Sequence, residues 1–207
     1  MAKDNVETEV KLYVPDLDGL KRRVEQAGGM LTAPRVLERN VRYDDGAGSF
    51  NAAGTVLRLR QDARARLTYK DGERLQGRYG SSRAEIEVEV SDFARMDAIL
   101  GKLGFHSIMR YEKYRTTYAL FDAEVTLDEM PYGHFVEIEG DEDAIRRCVE
   151  ALGLEAARRM PASYVVLFLI VKQNLGLSFN DLTFENFKGI AVPESAFEEQ
   201  GRSPERP

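Results

Sequence analysis

The chain has 207 residues, 31% charged and 43% hydrophobic, so it can bury a sizeable core and does not have the makeup of a disordered polyelectrolyte. A formal net charge of −6 argues against generic nucleic-acid binding, although its 29 Lys and Arg can still converge on a small anion. The lone cysteine, Cys148, excludes an internal disulfide. The longest apolar run, Val165 to Val171, is too short to span a bilayer, and Met1-Ala2-Lys3-Asp4-Asn5 leads directly into a charged strand. The expectation is a soluble cytoplasmic protein without nucleic-acid or membrane partners.

In chain order, the first strand carries Glu7, Glu9 and Lys11 at alternating positions. A helix near Asp16–Ala27 follows, with Leu17, Leu20 and Val24 on one side and Gly28-Gly29 as its stop. Strands are expected at Glu38–Tyr43, Thr55–Gln61 and Arg66–Lys70, with Asp44-Asp45-Gly46 and Asp71-Gly72 as turns. Glu85–Val90 is a further charged strand. It leads into a helix that Ser91 or Asp92 could cap, with Phe93, Met96, Leu100 and Leu103 at helical spacing and Gly104 at its end. Strands at Tyr111–Leu120 and Ala123–Asp128, the turn Pro131-Tyr132-Gly133 and the strand of Glu137-Ile138-Glu139 come next. A third helix bears Ile145, Val149 and Leu152 and stops at Gly153, while Ser163–Val171 reads equally as buried helix or buried strand. About eight strands with short connections and three helices imply an α+β domain on a large antiparallel sheet or barrel. A domain over 1–172 and an extension over 173–207 are expected, with Phe179, Phe184 and Phe187 packing on the domain and a polar, disordered end.

Five of these segments repeat charges at every second position: Glu7/Glu9/Lys11, Arg58/Arg60, Glu85/Glu87/Glu89, Lys113/Arg115 and Glu137/Glu139. A strand sends successive side chains to opposite faces, so each segment has one charged face and one apolar face. Two arrangements satisfy this pattern. The charges can face solvent over an apolar core. Alternatively, the helices can cover the apolar faces from outside while the charges line a lumen, where eight strands leave room for side chains or one small ligand. Acidic pairs suit a hard divalent cation and basic pairs a polyphosphate.

The segments in this order resemble the CYTH superfamily, the triphosphate tunnel metalloenzymes, which include class IV adenylate cyclases and thiamine triphosphatases. The resemblance rests on Glu7, Glu9 and Lys11, on Glu38 to Asp44, Leu57 to Arg60, Leu67 to Lys70, Arg83 to Glu87, Lys113 to Arg115, Leu127 to Glu129, Gly133, Glu137 to Glu139 and Ser163-Tyr164. It implies a closed eight-stranded antiparallel barrel with helices packed outside. By the same resemblance, Lys11, Arg58, Arg60, Lys70, Lys113 and Arg115 grip a triphosphate. Glu7, Glu9, Glu137 and Glu139 hold Mg2+ or Mn2+, Glu85 and Asp128 are further tunnel acids, and Lys11, Arg60 and Glu87 act in catalysis.

A triphosphatase directs water at the terminal phosphate, while a cyclase directs a ribose hydroxyl of ATP at the α-phosphate. Many class IV cyclases carry a His-Phe pair shortly before the first Glu, and Lys3-Asp4-Asn5-Val6 lacks it. Hydrolysis of inorganic triphosphate, thiamine triphosphate or a nucleoside triphosphate is therefore the expected activity, with the cyclase as alternative. A homodimer is compatible with the resemblance. His106 and His134 are isolated, and Cys148 reads as packing. Tyr43 and Tyr69 suit either stacking on a base or filling the wall.

Overall fold

A computed structural model describes residues 8–72, 75–76, 81–82 and 84–198. Glu7, Arg83 and the tail from residue 199 onward lie outside the described residues, and with them one expected metal ligand. The strands are β1 (Glu9–Tyr13), β2 (Met30–Asp44), β3 (Val56–Gln61), β4 (Ala65–Lys70), β5 (Leu75–Gln76), β6 (Ser81–Ser82), β7 (Glu85–Val90), β8 (His106–Leu120), β9 (Ala123–Met130) and β10 (Gly133–Glu139). The helices are α1 (Leu17–Gln26), α2 (Ser49–Ala52), α3 (Phe93–Lys102), α4 (Glu142–Ala151) and α5 (Tyr164–Leu175), with a final 3-10 turn at Glu194–Phe197.

All ten strands join one sheet in the order β5-β6-β1-β10-β9-β8-β2-β3-β4-β7, with antiparallel ladders throughout. The expected closed barrel is met only as far as this sheet. Among the described residues no ladder joins the edge strand β7 to β5, so hydrogen bonds do not close the ring. β2 and β8 run 15 residues each, longer than expected, and their ladder slips between Leu31 and Ala33, between Ala33 and Val36, and between Arg42 and Tyr43. Such bulges bend and twist a strand, which helps a wide sheet wrap around its own charged face.

The outer face carries the core, and helices cover it. Val10, Leu12, Val125, Leu127, Val136 and Ile138 meet Leu20 and Val24 of α1 and Ile145 and Cys148 of α4. Val41, Leu57 and Leu59 meet Leu100 of α3. The three caps are side-chain acceptors: Asp16 takes the amide of Gly19, Asp92 that of Arg95 and Asp141 that of Ala144. Gly19 costs about 1 kcal/mol inside a helix, yet a Cβ there would fall 2.0 Å from the Asp16 carboxylate, so the cap demands it. Fully burying Leu20 and Val24 returns about 1.5–3 kcal/mol each, more than that cost.

Ser163–Val171 resolves as helix. Ser163 caps α5, whose Leu167, Phe168 and Val171 enter a second core with Phe135, Tyr132 and Met130. The helix runs past residue 172, and the segment after it packs against the same core through Leu182, Phe187 and Phe197. Phe179 stacks on Phe168 with centroids 6.1 Å apart. No helix among the described residues is long and apolar enough to cross a membrane.

Candidate functional site

Register decides which side chains share the inner face, because directly opposed residues of paired strands point the same way. Glu9, Glu139 and Glu124 form one row across β1, β10 and β9. Lys11, Glu137, Thr126 and Thr117 form the next. Further rows pair Asp128 with Arg115, Glu38 with Lys113, and Asn40 with Arg60 and Arg66, and align Arg42, Arg58, Thr68 and Glu87. Lys70 stands opposite Glu85. The alternating charges therefore line the inside. They surround a cavity of about 540 Å3 whose wall takes residues from all eight longer strands and from the start of α5.

All the described basic residues expected to grip phosphate reach this cavity, as do Glu9, Glu85, Glu87, Glu137 and Glu139. Asp128 lies fully buried behind the wall. Three residues that carried the resemblance were given no role in the site from sequence. Arg42 lines the cavity, Glu38 sits beneath it at 2% exposure, and Tyr164 on α5 forms its floor. Glu38, Asn40 and Arg42 do alternate along β2, but their mixed signs hid the pattern that marked the like-charged strands.

Near α5 the charges are densely paired. Arg115 donates to both Asp128 oxygens, at 2.7 Å to Oδ1 and 2.6 Å to Oδ2, and also pairs with Glu137. Lys113 Nζ lies 3.1 Å from Asp128 Oδ2 and 3.7 Å from Glu38. Lys11 Nζ lies 3.0 Å from Glu137 and 4.3 Å from the centroid of the Tyr164 ring. Burial alone would raise the Glu137 carboxyl, but Lys11, Arg115 and Lys113 hold it well below the usual carboxylate range. Asp128 raises Arg115 despite burial that works the other way.

Along β2 and β3 the balance differs. Arg60 reaches Glu38 at 3.4 Å and Glu87 at 3.2 Å, and Thr68 Oγ1 donates to Glu87 at 2.9 Å. Arg58 donates to the Tyr111 hydroxyl at 3.3 Å and to Thr68 Oγ1 at 3.4 Å. The Nε atoms of Arg42, Arg58 and Arg60 are all buried without a hydrogen-bond partner. Burial lowers the pKa of Arg42 and of Arg60, and the neighbouring Arg58 charge lowers both further. Glu38 is depressed because the charges of Lys113, Arg115, Arg60 and Arg58 outweigh its burial.

Residues that could hold a metal are Glu9 and Glu139, carboxylates in one register row with Glu124 alongside. Hard-oxygen donors of this kind suit Mg2+ or Mn2+, which keep water and phosphate oxygens in the rest of their shell. Among the described residues no three acids already converge as a preformed metal cluster. Glu137, also expected as a ligand, is engaged by Lys11 and Arg115.

The tyrosines considered for base stacking belong to the outer wall. Tyr43 is buried and its hydroxyl donates to Asp97 at 2.7 Å, while Tyr69 meets Phe50 edge-on. His106 and His134 are not among the cavity-lining residues. Cys148 of α4 packs into the core against the sheet, and burial pushes its thiol up to about 11.

The profile of the CYTH domain matches residues 5–164. The chain belongs to the CYTH family. A Methanocaldococcus jannaschii protein named "Putative adenylate cyclase" is 27% identical over 136 residues, covering 65% of this chain and 76% of that protein. Among solved structures, a Vibrio parahaemolyticus protein also described as a "putative adenylate cyclase" superposes with a TM-score of 0.66 at 20% identity, over 78% of this chain and 97% of that one. A Hippeastrum protein, described as an adenylyl cyclase by name that reveals a dominant triphosphatase activity, gives a TM-score of 0.60 at 18% identity, over 79% and 94%. At these identities the two structures speak for the fold.

Proposed function

We propose that the chain is a metal-dependent phosphohydrolase that takes the triphosphate of its substrate into the charged cavity and releases phosphate. The observation that carries this reading is the convergence of Lys11, Arg42, Arg58, Arg60, Lys70, Lys113 and Arg115 on one cavity, a concentration of positive charge that a polyanion would balance. A triphosphate brings about four negative charges, and phosphoryl transfer needs positioning and charge neutralisation more than covalent help.

In this reading the inward-facing sheet is the wall of a tunnel. Arg58 and Arg60 supply planar two-point contacts to phosphate oxygens, Lys11, Lys70, Lys113 and Arg115 add point and forked charge, and Glu87 orients Arg60. Glu9 and Glu139 would hold the divalent ion, which when bound neutralises phosphate charge and lowers the pKa of water. Glu7 shares this expectation from sequence alone.

Hydrolysis is preferred over cyclisation on the sequence, because Lys3-Asp4-Asn5-Val6 lacks the His-Phe pair that many class IV cyclases carry before the first Glu. The Hippeastrum relative supports the same choice, since a protein named for cyclisation there runs chiefly as a triphosphatase. The test is incubation with inorganic triphosphate, thiamine triphosphate and ATP, each with Mg2+ or Mn2+, followed by product identification. Released phosphate that depends on the metal, and a loss of that metal-dependent release in Glu9→Gln, are expected. Cyclic AMP as the main product from ATP would replace hydrolase with cyclase.

A further inference from the structure

Tyr164 is the first residue of α5 and is where the family match stops. Its hydroxyl donates to Asp128 Oδ2 at 2.8 Å, the oxygen that also accepts from Lys113 at 3.1 Å and Arg115 at 2.6 Å. Its ring centroid lies 4.3 Å from Lys11 Nζ and 5.2 Å from Lys113 Nζ. One side chain thus meets two of the cavity lysines and the carboxylate that anchors one of them. It is fixed from behind as well. The Tyr132 hydroxyl donates to its carbonyl at 2.8 Å, and Phe135 meets its ring edge-on at 5.3 Å.

The support continues beyond the family match. Asn174 of α5 donates to the carbonyls of Ala196 and Glu198, at 2.9 and 2.8 Å. Arg158 donates to those of Glu194 and Phe197. Phe197 packs against Tyr13, Tyr132 and Phe135. The segment after α5 therefore clamps the helix on which Tyr164 stands.

We propose that Tyr164 is a positioning residue for Lys11 and Lys113, through which α5 and the segment clamping it set the placement of the two ammonium groups in the cavity. An ammonium over an aromatic face is held by the ring quadrupole without being neutralised. The hydroxyl takes part of Asp128's accepting capacity, which limits how closely that carboxylate draws in Lys113 and leaves its charge available to a ligand. The consequence for turnover rests on the triphosphate reading above, whereas the placement of the lysines does not.

The experiment compares wild type, Tyr164→Phe and Tyr164→Leu as full-length chains. Lysine side-chain NMR signals are recorded without ligand and assigned through Lys11→Arg and Lys113→Arg, and turnover of inorganic triphosphate is measured with Mg2+. Both Tyr164 variants should shift the signals of Lys11 and Lys113. Tyr164→Phe, which keeps the ring, should lower kcat about tenfold with KM within about twofold, and Tyr164→Leu should also raise KM about tenfold. Unmoved lysine signals would overturn the proposal whatever the activity. So would equal losses of kcat, KM and melting temperature in both variants, the mark of a merely structural residue. Shifted signals in a protein that neither binds nor hydrolyses triphosphate would uphold the positioning role and overturn the substrate reading instead.

Discussion

Two regions of one cavity wall meet their charges in opposite ways. Around Asp128, Arg115, Lys113, Lys11, Glu137 and the Tyr164 hydroxyl form a closed set in which each cation has an anion within hydrogen-bonding reach. Around Arg42, Arg58 and Arg60, three guanidiniums crowd together, each with a buried donor left over, and two of them have their pKa lowered by burial and by Arg58. The first region is complete as protein. The second has counter-charges too, Glu38 and Glu87 beside Arg60, but it leaves an excess of positive charge on the cavity that a polyanion would balance. The difference separates groups that build the site from groups that await a ligand, although both are buried, basic and contributed by the same sheet.

The sharpest way to break this comparison is to remove an anchor from the complete region. Asp128→Ala strips the acceptor from Arg115, Lys113 and Tyr164 and leaves buried cations without compensation, a loss of about 3–5 kcal/mol in urea denaturation. Arg60→Ala in the other region trims one of three mutually repelling charges. It also takes a cation from buried Glu38, but Glu38 keeps Lys113, so the loss of stability should be smaller than for Asp128→Ala, while triphosphate turnover falls about 100-fold, the usual scale for losing a transition-state charge contact. If the two substitutions destabilise equally, the regions do not differ in the way their geometry says.

Much of this was legible before any coordinates, for a simple reason. The period-2 alternation of Arg58/Arg60, Lys113/Arg115 and Glu137/Glu139 gives each strand one charged face, and the register then sets those faces on the same side of the sheet. Which face pointed inward did not follow from the residues alone. It depended on three helices covering the apolar side, and the family resemblance decided it. The roles of Arg42 and Glu38 were hidden for a different reason. Their strand interleaves inward Glu38, Asn40 and Arg42 with outward Arg39 and Val41, so the charge pattern looked mixed. Tyr164 was legible only as part of a signature. Its contacts join α5 to β1, β8 and β9, and no local pattern encodes a pairing between residues as distant as Lys11 and Tyr164. Closure of the barrel was expected from the resemblance, and the described ladders carry the sheet from β5 to β7 without it.

A finer test uses acid, because both regions depend on carboxylates held ionised by the cations around them. Glu38 and Glu137 have folded-state pKa values below their ordinary value of 4.5, despite burial that opposes this. The unfolded chain takes up these protons near 4.5 while the folded chain resists them, so below that pH the unfolded state binds more protons. Their contribution to stability is therefore present in full above the ordinary carboxylate range and drains away as pH falls toward the depressed values. Urea denaturation across this range should show a flat plateau near neutrality and a decline on the acid side. Glu38→Gln should start from lower stability at neutral pH and decline less steeply, because it removes one of the protonations that drive the loss. Glu38 touches both Lys113 and Arg60, so its removal also loosens the boundary between the two regions. An acid limb unchanged in Glu38→Gln would mean that Glu38 contributes nothing to it, and that the arginine-rich region has no built-in counter-charge worth titrating.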